Sequence, residues 1–136
     1  MKVHFSDFSV STRSRFELVD ITEQIEAAVS ASKIGHGLCL VYAPHATAAI
    51  IANEHEAGLL SDILAKLRGL FPEGAGYLHD RIDDNAHAHL ASAFLASSRV
   101  FPVRGGRLVR GTWQNIILVE ADGPRNRRVL VEVLGE

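Results

Sequence analysis

The stretch Val100-Phe101-Pro102-Val103-Arg104-Gly105-Gly106-Arg107-Leu108-Val109, continued by Thr112 to Glu120 and Arg127 to Leu134, decides the fold class. Val100 to Val103 and Arg107 to Val109 read as two short strands. Gly105-Gly106 between them supplies the positive φ angles that a tight hairpin turn needs. Thr112 to Glu120 is a third strand, and Asp122-Gly123-Pro124 turns the chain into a fourth, Arg127 to Leu134. A run of strands with no intervening helices argues for antiparallel neighbours and against a doubly wound sheet.

Upstream of that run the elements are mixed. Lys2 to Val10 alternates Val3 and Phe5 with His4 and Ser6, the period of a half-buried strand. Arg15 to Val19 reads as a second strand. Asp20 then opens a helix with Glu23 at the capping-box position, an apolar stripe of Ile21, Ile25, Ala28 and Val29, and Gly35 as its stop. Gly37 to Ala43 is a buried strand broken by Pro44-His45, and Thr47 to Ala52 is another. Asn53 caps a second helix, with Glu56 at the box position and Leu59, Leu60, Ile63, Leu64 and Leu67 at helical spacing. Gly69 and Pro72 to Gly76 end it. Tyr77 to Asp84 fits neither period, and Asp84 or Asn85 caps an Ala-rich third helix reaching about Ala96. The order predicts a compact α+β domain spanning 1–136, with a mixed, largely antiparallel sheet and two to three helices.

Composition narrows the function. The 136 residues carry a formal charge of −2, which does not predict a nucleic-acid partner. No apolar run is long enough to span a bilayer, so no membrane partner is expected. Met1 to Asp20 mixes charged and apolar residues unlike a signal peptide, and a cytoplasmic location is the expectation. Cys39, the only cysteine, sits in an apolar strand and reads as an inert core thiol. Gly-x-Gly-x-x-Gly and P-loop patterns are absent.

Seven histidines are the conspicuous feature. Asn85-Ala86-His87-Ala88-His89 places two imidazoles among small residues. On a strand they would share a face; on a helix they stand roughly 200° apart. Capping or hydrogen-bonded histidines fit the same pattern. His79 lies close in sequence, and three imidazoles with an open position are a ligand set for a catalytic divalent metal, whether Zn, Mn or Mg. Asp80, Asp83 and Asp84 could orient the rings or form a solvated turn. His45, at a strand-breaking turn, is a candidate fourth metal ligand or general base, with Thr47 beside it. Glu54 is a candidate carboxylate base, or a helix-dipole acid. His4, His36 and His55 read as surface or packing residues. Trp113, in Gly111-Thr112-Trp113-Gln114, offers a flat wall for a planar ring or a core side chain. Arg125, Arg127 and Arg128 around a tight turn form a candidate clamp for phosphate or carboxylate.

In this order, His45-Ala46-Thr47-Ala48-Ala49, Ile51-Ala52-Asn53-Glu54, Asp62, Tyr77-Leu78-His79, Asn85 to Leu90, Gly106-Arg107-Leu108, Gly111 to Gln114 and Asp122-Gly123-Pro124-Arg125 resemble the YjbQ family. That family is also described as secondary thiamine-phosphate synthases. The resemblance covers nearly the whole chain. It implies a homotrimer with sites near subunit contacts. It also implies thiamine-phosphate synthase activity, joining a pyrimidine pyrophosphate to a thiazole phosphate, as a secondary activity. The site residues expected from the reading of the residues are His45, Glu54 and Thr47 for catalysis, His79, His87 and His89 for metal, and Asn53, Trp113, Gln114, Arg125 and Arg127 for substrate. Ala46 stands where the family usually has threonine, removing one hydroxyl. Two functions follow. One is an enzyme on a small phosphorylated or anionic ligand, a thiamine-phosphate synthase-like transferase or a metal-assisted hydrolase. The other is a non-catalytic trimeric module that binds such a ligand or a metal.

Overall fold

Ile116, Ile117, Leu118, Val119 and Glu120 are five consecutive buried residues in one strand. A strand with one covered face alternates, so burial at every position means that both faces are packed. The computed structural model, which describes residues Met1 to Glu136, shows what packs there. Its elements in order are β1 (Lys2–Ser11), β2 (Glu17–Asp20), α1 (Thr22–Ser32), β3 (His36–Tyr42), β4 (Ala48–Asn53), α2 (Ala57–Leu70), a 3-10 turn (Leu78–Arg81), α3 (Ala86–Leu95), β5 (Ser98–Arg104), β6 (Arg107–Leu108), β7 (Asn115–Glu120) and β8 (Asn126–Gly135).

The strands form two sheets, β1-β8-β3-β5-β6 and β2-β7-β4, with every pair antiparallel. The expected α+β class holds, with two sheets where one mixed sheet was expected. Ile116 and Leu118 of β7 share a core with Cys39, Val41, Val129, Val131 and Val133 on the inner face of the five-stranded sheet and with Ile25 and Val29 of α1. Val119 joins a second core with Ala49 of β4, Leu67 of α2, and Ala88 and Ala91 of α3. The layers are therefore the five-stranded sheet, the three-stranded sheet and then α2 and α3, with α1 packed on the inner face of the five-stranded sheet beside the three-stranded one. The outer face of the five-stranded sheet carries no layer, and Val3, Phe5, Leu38, Tyr42 and Val100 stand exposed on it. Cys39 is fully buried, and burial pushes its thiol up to about 11. No helix is long and apolar enough to cross a membrane.

Several caps differ from the sequence expectation. Asp20 is not the cap of α1. Its Oδ1 accepts from the amide and hydroxyl of Thr22, and its Oδ2 from Asn115. Asn53 is the last residue of β4, and Glu56 caps α2 instead, accepting from the amides of Gly58 and Leu59 at 2.9 and 2.7 Å. These two bonds hold the Glu56 carboxyl below its ordinary range. β7 begins only at Asn115, because Gly111 to Gln114 forms a closed turn. Gly105 and Gly106, at φ 58° and 75°, form the expected hairpin.

β3 and β8 approach most closely at Gly37 and Gly135, which are register partners. A Cβ on Gly37 would sit 1.9 Å from the Leu134 carbonyl oxygen, a backbone atom that cannot step aside. Gly37→Ala is expected to lower unfolding free energy by about 1–3 kcal/mol, as overpacking does. Gly69→Ala, in α2 with open space around it, is expected to raise it by up to about 1 kcal/mol. Urea denaturation of the two variants checks both signs.

Candidate functional site

The core between the sheets ends in charge. On β8 the inward positions run Arg127, Val129, Val131, Val133; on β7 they run Ile116, Leu118, Glu120. Glu120 is 0% and Arg127 3% exposed. Arg127 Nε donates to Glu120 Oε1 at 2.9 Å, and one Nη2 donates to Glu120 Oε2. The same Nη2 reaches the carbonyl and hydroxyl oxygens of Thr47 at 3.0 and 2.8 Å. Glu120 also accepts from the Thr12 hydroxyl at 2.7 Å and the Asp122 amide at 3.0 Å. The pair tolerates burial because nearly every polar atom is satisfied. Arg127 Nη1 is the exception: it bonds nothing in the chain and is open to a cleft whose floor Arg127 forms.

A second braced arginine stands on the following loop. Asp122, 3% exposed, accepts from Arg15 at 2.7 Å, from Asn85 Nδ2 at 2.8 Å and from Arg125 Nη2 at 2.9 Å. Burial works against its ionisation, but the bonds from Asn85 and Arg125 and the charges of Arg125 and Arg15 prevail and hold the carboxyl below its usual range. Arg125 Nε also donates to the Asp122 carbonyl oxygen at 2.9 Å. Two of the three guanidinium nitrogens of Arg125 are thus fixed, leaving Nη1 free. The loop fits only with glycine at its bend, since a Cβ on Gly123 would lie 2.1 Å from the Ser14 carbonyl oxygen.

His45 completes that side of the cleft. The β3–β8 ladder ends at Tyr42 opposite Leu130, and the next outward pair would set Pro44 against Arg128. Proline has no N–H to give. The His45 ring takes the vacant place, its Nε2 lying 2.9 Å from the Arg128 amide and 3.1 Å from the Arg128 carbonyl oxygen. One nitrogen serves one of these at a time in the neutral ring. When Nε2–H donates to the carbonyl, Nδ1, which no protein group bonds, is left as a base. Burial and the Arg127 charge lower the His45 pKa, against the Arg128 backbone bond and Glu120, which raise it.

The cleft has a volume of about 650 Å³ and is lined chiefly by His45, Thr47, Asn85, His89, Arg125 and Arg127. Ala46 is exposed in it. Of the residues singled out from the sequence, the structure brings His45, Thr47, His89, Arg125 and Arg127 to one cleft. Thr47 is buried and holds Arg127. The three-arginine clamp does not form: Arg127 points into the core, while Arg128, the next residue on the strand, turns outward to Asp7 at 2.6 Å.

Other predicted residues lie elsewhere. His87 and His89 are on α3, so they diverge. His89 meets His79 edge-on with ring centroids 4.6 Å apart. His87 is buried on the opposite side, beside Phe16 and with Nε2 3.1 Å from the Ala121 carbonyl oxygen. The His79, His87, His89 trio is therefore not assembled, and no three His, Cys, Asp or Glu side chains converge to hold a metal. Asp80 accepts from the Ala86 amide, Asp83 from the Asp84 amide, and Asp84 lies 3.7 Å from Arg15; none orients an imidazole. Asn53, Glu54, Trp113 and Gln114 gather at the other end of the three-stranded sheet. Asn53 pairs with Asn115 there, whereas Ala48 pairs with Glu120 beside the cleft. Five residue steps of strand separate the two ends, roughly 17 Å. Gln114 is spent on its own turn, accepting from the Gly111 amide at 2.7 Å. Trp113, at the tip, is 70% exposed, so it is not a core residue.

The sequence reading missed Glu120, Asp122, Thr12 and Arg15. Glu120 had a signal: a carboxylate ending the apolar run Ile116 to Val119, at an inward position, requires a buried cation. Thr12 and Arg15, more than a hundred residues from their partners, had none.

A family model described as "UPF0047 protein YjbQ-like" matches residues 6–136. A UPF0047 protein of Archaeoglobus fulgidus is 49% identical over 94% of this chain and 99% of its own length. The UPF0047 protein YugU of Bacillus subtilis is 35% identical over 93% of this chain and 96% of its own. The crystal structure of a YbjQ-like protein from Sulfolobus solfataricus superposes with a TM-score of 0.98 at 58% identity, covering 99% of each chain.

The buried pair has a testable energetic signature. Glu120→Leu or Arg127→Met alone is expected to cost about 3–5 kcal/mol, because each strands a buried charge. The double variant is expected to be more stable than either single one, as read by chemical denaturation of all three.

Proposed function

This chain belongs to the YjbQ-like UPF0047 family, and we propose that it is an enzyme acting on a small phosphorylated substrate, with His45 as general base. One observation carries the reading. Arg125 and Arg127 are each braced by a buried acid and each keep one free Nη1 group at a cleft that His45 also lines. A guanidinium already held in place loses little freedom when it takes an anion.

His45 supports proton transfer from the same cleft. Its lowered pKa keeps the ring neutral at pH 7, and a base must be neutral to accept a proton. Accepting at Nδ1 leaves Nε2–H donating to the Arg128 carbonyl oxygen, which steadies the cation that forms. His89 lines the same cleft, and Asn85 is held by Asp122. The finer assignment is a thiamine-phosphate synthase-like transfer, in which the unprotonated ring nitrogen of a thiazole phosphate bonds to the pyrimidine methylene carbon as pyrophosphate departs. That step removes no proton, so the arginines carry it and His45 serves as base only in the hydrolytic alternative. The two free Nη1 groups support it, because departing phosphate oxygens need fixed cationic donors. A zinc, manganese or magnesium ion belongs to this reading only with ligands added to His79 and His89 by substrate or a second copy.

The assembly we propose is a homotrimer in the cytoplasm. The uncovered outer face of the five-stranded sheet, with Val3, Phe5, Leu38, Tyr42 and Val100 exposed on it, and the exposed Trp113 support association.

Purified protein turns over at least one member of a panel of phosphate monoesters and thiamine precursors, and His45→Ala reduces its kcat/KM by about 10²–10⁴-fold. The rate falls as pH drops through the folded pKa of His45, so the acid limb lies below the 6.5 of a free imidazole. Saturable binding with the ligand recovered unchanged would leave a binding module and overturn the enzyme. Light scattering in solution is expected to give three times the chain mass. Phe5→Glu, on the uncovered face, is expected to give the monomer.

A further inference from the structure

The His45 ring has a property that the base role does not use. Its Nε2 lies 2.9 Å from the Arg128 amide and 3.1 Å from the Arg128 carbonyl oxygen. The amide can only donate to that nitrogen, and the carbonyl can only accept from it. An imidazole that faces a lone carbonyl or carboxylate has its tautomer fixed by that partner. Here the partner is a whole peptide edge, because one ring nitrogen stands where a paired strand would offer both an amide and a carbonyl. Either position of the ring proton therefore keeps a hydrogen bond to Arg128. Both bonds are exposed, so water meets whichever Arg128 group the ring leaves.

The far side of the ring is open. His45 Nδ1 bonds no protein atom, and it is not one of the two buried, unpartnered side-chain atoms, which are Asn85 Oδ1 and His87 Nδ1. Solvent reaches it, on a ring that lines the cleft. Arg127 and Glu120 lie close enough to act on the ring's charge, and Arg125, Asp122 and His89 line the same cleft. The two neutral tautomers carry the same net charge. What separates them is the group offered at Nδ1, a bare nitrogen in one and an N–H in the other.

We infer that His45 holds an anion in the cleft as a neutral hydrogen-bond donor, with Nδ1–H turned to the anion and Nε2 accepting from the Arg128 amide. The inference rests on the anion-cleft reading given above and deepens it. The occupant of the cleft selects the tautomer, since a ligand shifts a two-state equilibrium by its differential affinity for the two states. An anion, which accepts, takes the Nδ1–H form; a hydroxyl or water that must lose a proton takes the bare Nδ1 form. In passing between them the ring gives the Nε2 proton to water and takes one from water at Nδ1, so its charge is unchanged. The anion meets three donors, Arg125 Nη1, Arg127 Nη1 and His45 Nδ1–H, and none of them depends on acidification. The Arg128 peptide group is the positioning element, because it accommodates both forms.

Nitrogen NMR of protein carrying isotope-labelled histidine reads the tautomer directly, with His45→Ala assigning the resonances. At about pH 8 a free imidazole is neutral, and methyl phosphate and sulfate are fully ionised and only accept. Either anion is expected to move His45 Nδ1 towards the protonated limit and Nε2 towards the unprotonated one. Calorimetry at the same pH is expected to show both anions bound about tenfold more weakly by His45→Ala, the loss of one hydrogen bond to a charged group. Nδ1 left unprotonated with an anion bound overturns the inference and leaves the anion cleft standing. Both nitrogens protonated, which is binding as a cation, does the same, and so does undiminished affinity in His45→Ala. Failure of both anions to bind the native protein at millimolar concentration overturns the anion cleft and the inference with it.

Discussion

The ion pair of Arg127 and Glu120 is the interaction on which the site depends. It lies where the apolar layer between the two sheets runs out, one residue from each sheet, and it is withdrawn from solvent. Two charges so placed are costly unless their remaining lone pairs and protons are met. Thr12, Thr47 and the Asp122 amide meet them. Each of those partners comes from a different part of the chain, so satisfying one pair fixes the positions of β1's exit, the start of β4 and the loop after β7. The cleft is built from these same segments.

A consequence is that the cleft's chemistry is preorganised from behind. Asp122 repeats for Arg125 what Glu120 does for Arg127, a buried acid tying down most of a guanidinium and leaving one edge free. The His45 ring is set by a different cause, the absent N–H of Pro44, which leaves Arg128's backbone groups to the imidazole. A broken ladder, two braced cations and a neutral ring converge without any residue being strained to reach the site.

The architecture also leaves surface unused. One sheet face is uncovered, Trp113 projects from a turn closed by Gln114, and the residues around Asn53 and Glu54 sit across the sheet from the cleft. The family resemblance grouped these residues with His45. Within one chain the strand direction separates them, since β4 carries His45's end and Asn53's end in opposite directions. Only another copy of the chain could bring the two ends together.

The sequence by itself determined the elements, because their signals are local. Alternation marked β1, the Gly105-Gly106 pair marked the hairpin, and helical spacing of leucines marked α2. It also named five residues of the cleft, since histidine at a strand break and arginines at a turn are visible in a short window. Tertiary structure decided the rest. That His87 turns inward while His89 reaches the cleft follows from α3 being a helix packed on β4 and β7. That Arg127 is buried and Arg128 is not follows from the pleat of a strand whose inner face was fixed by valines further along. Glu120, Asp122, Thr12 and Arg15 entered the site through contacts between distant segments, and no local pattern encodes which acid a buried cation meets.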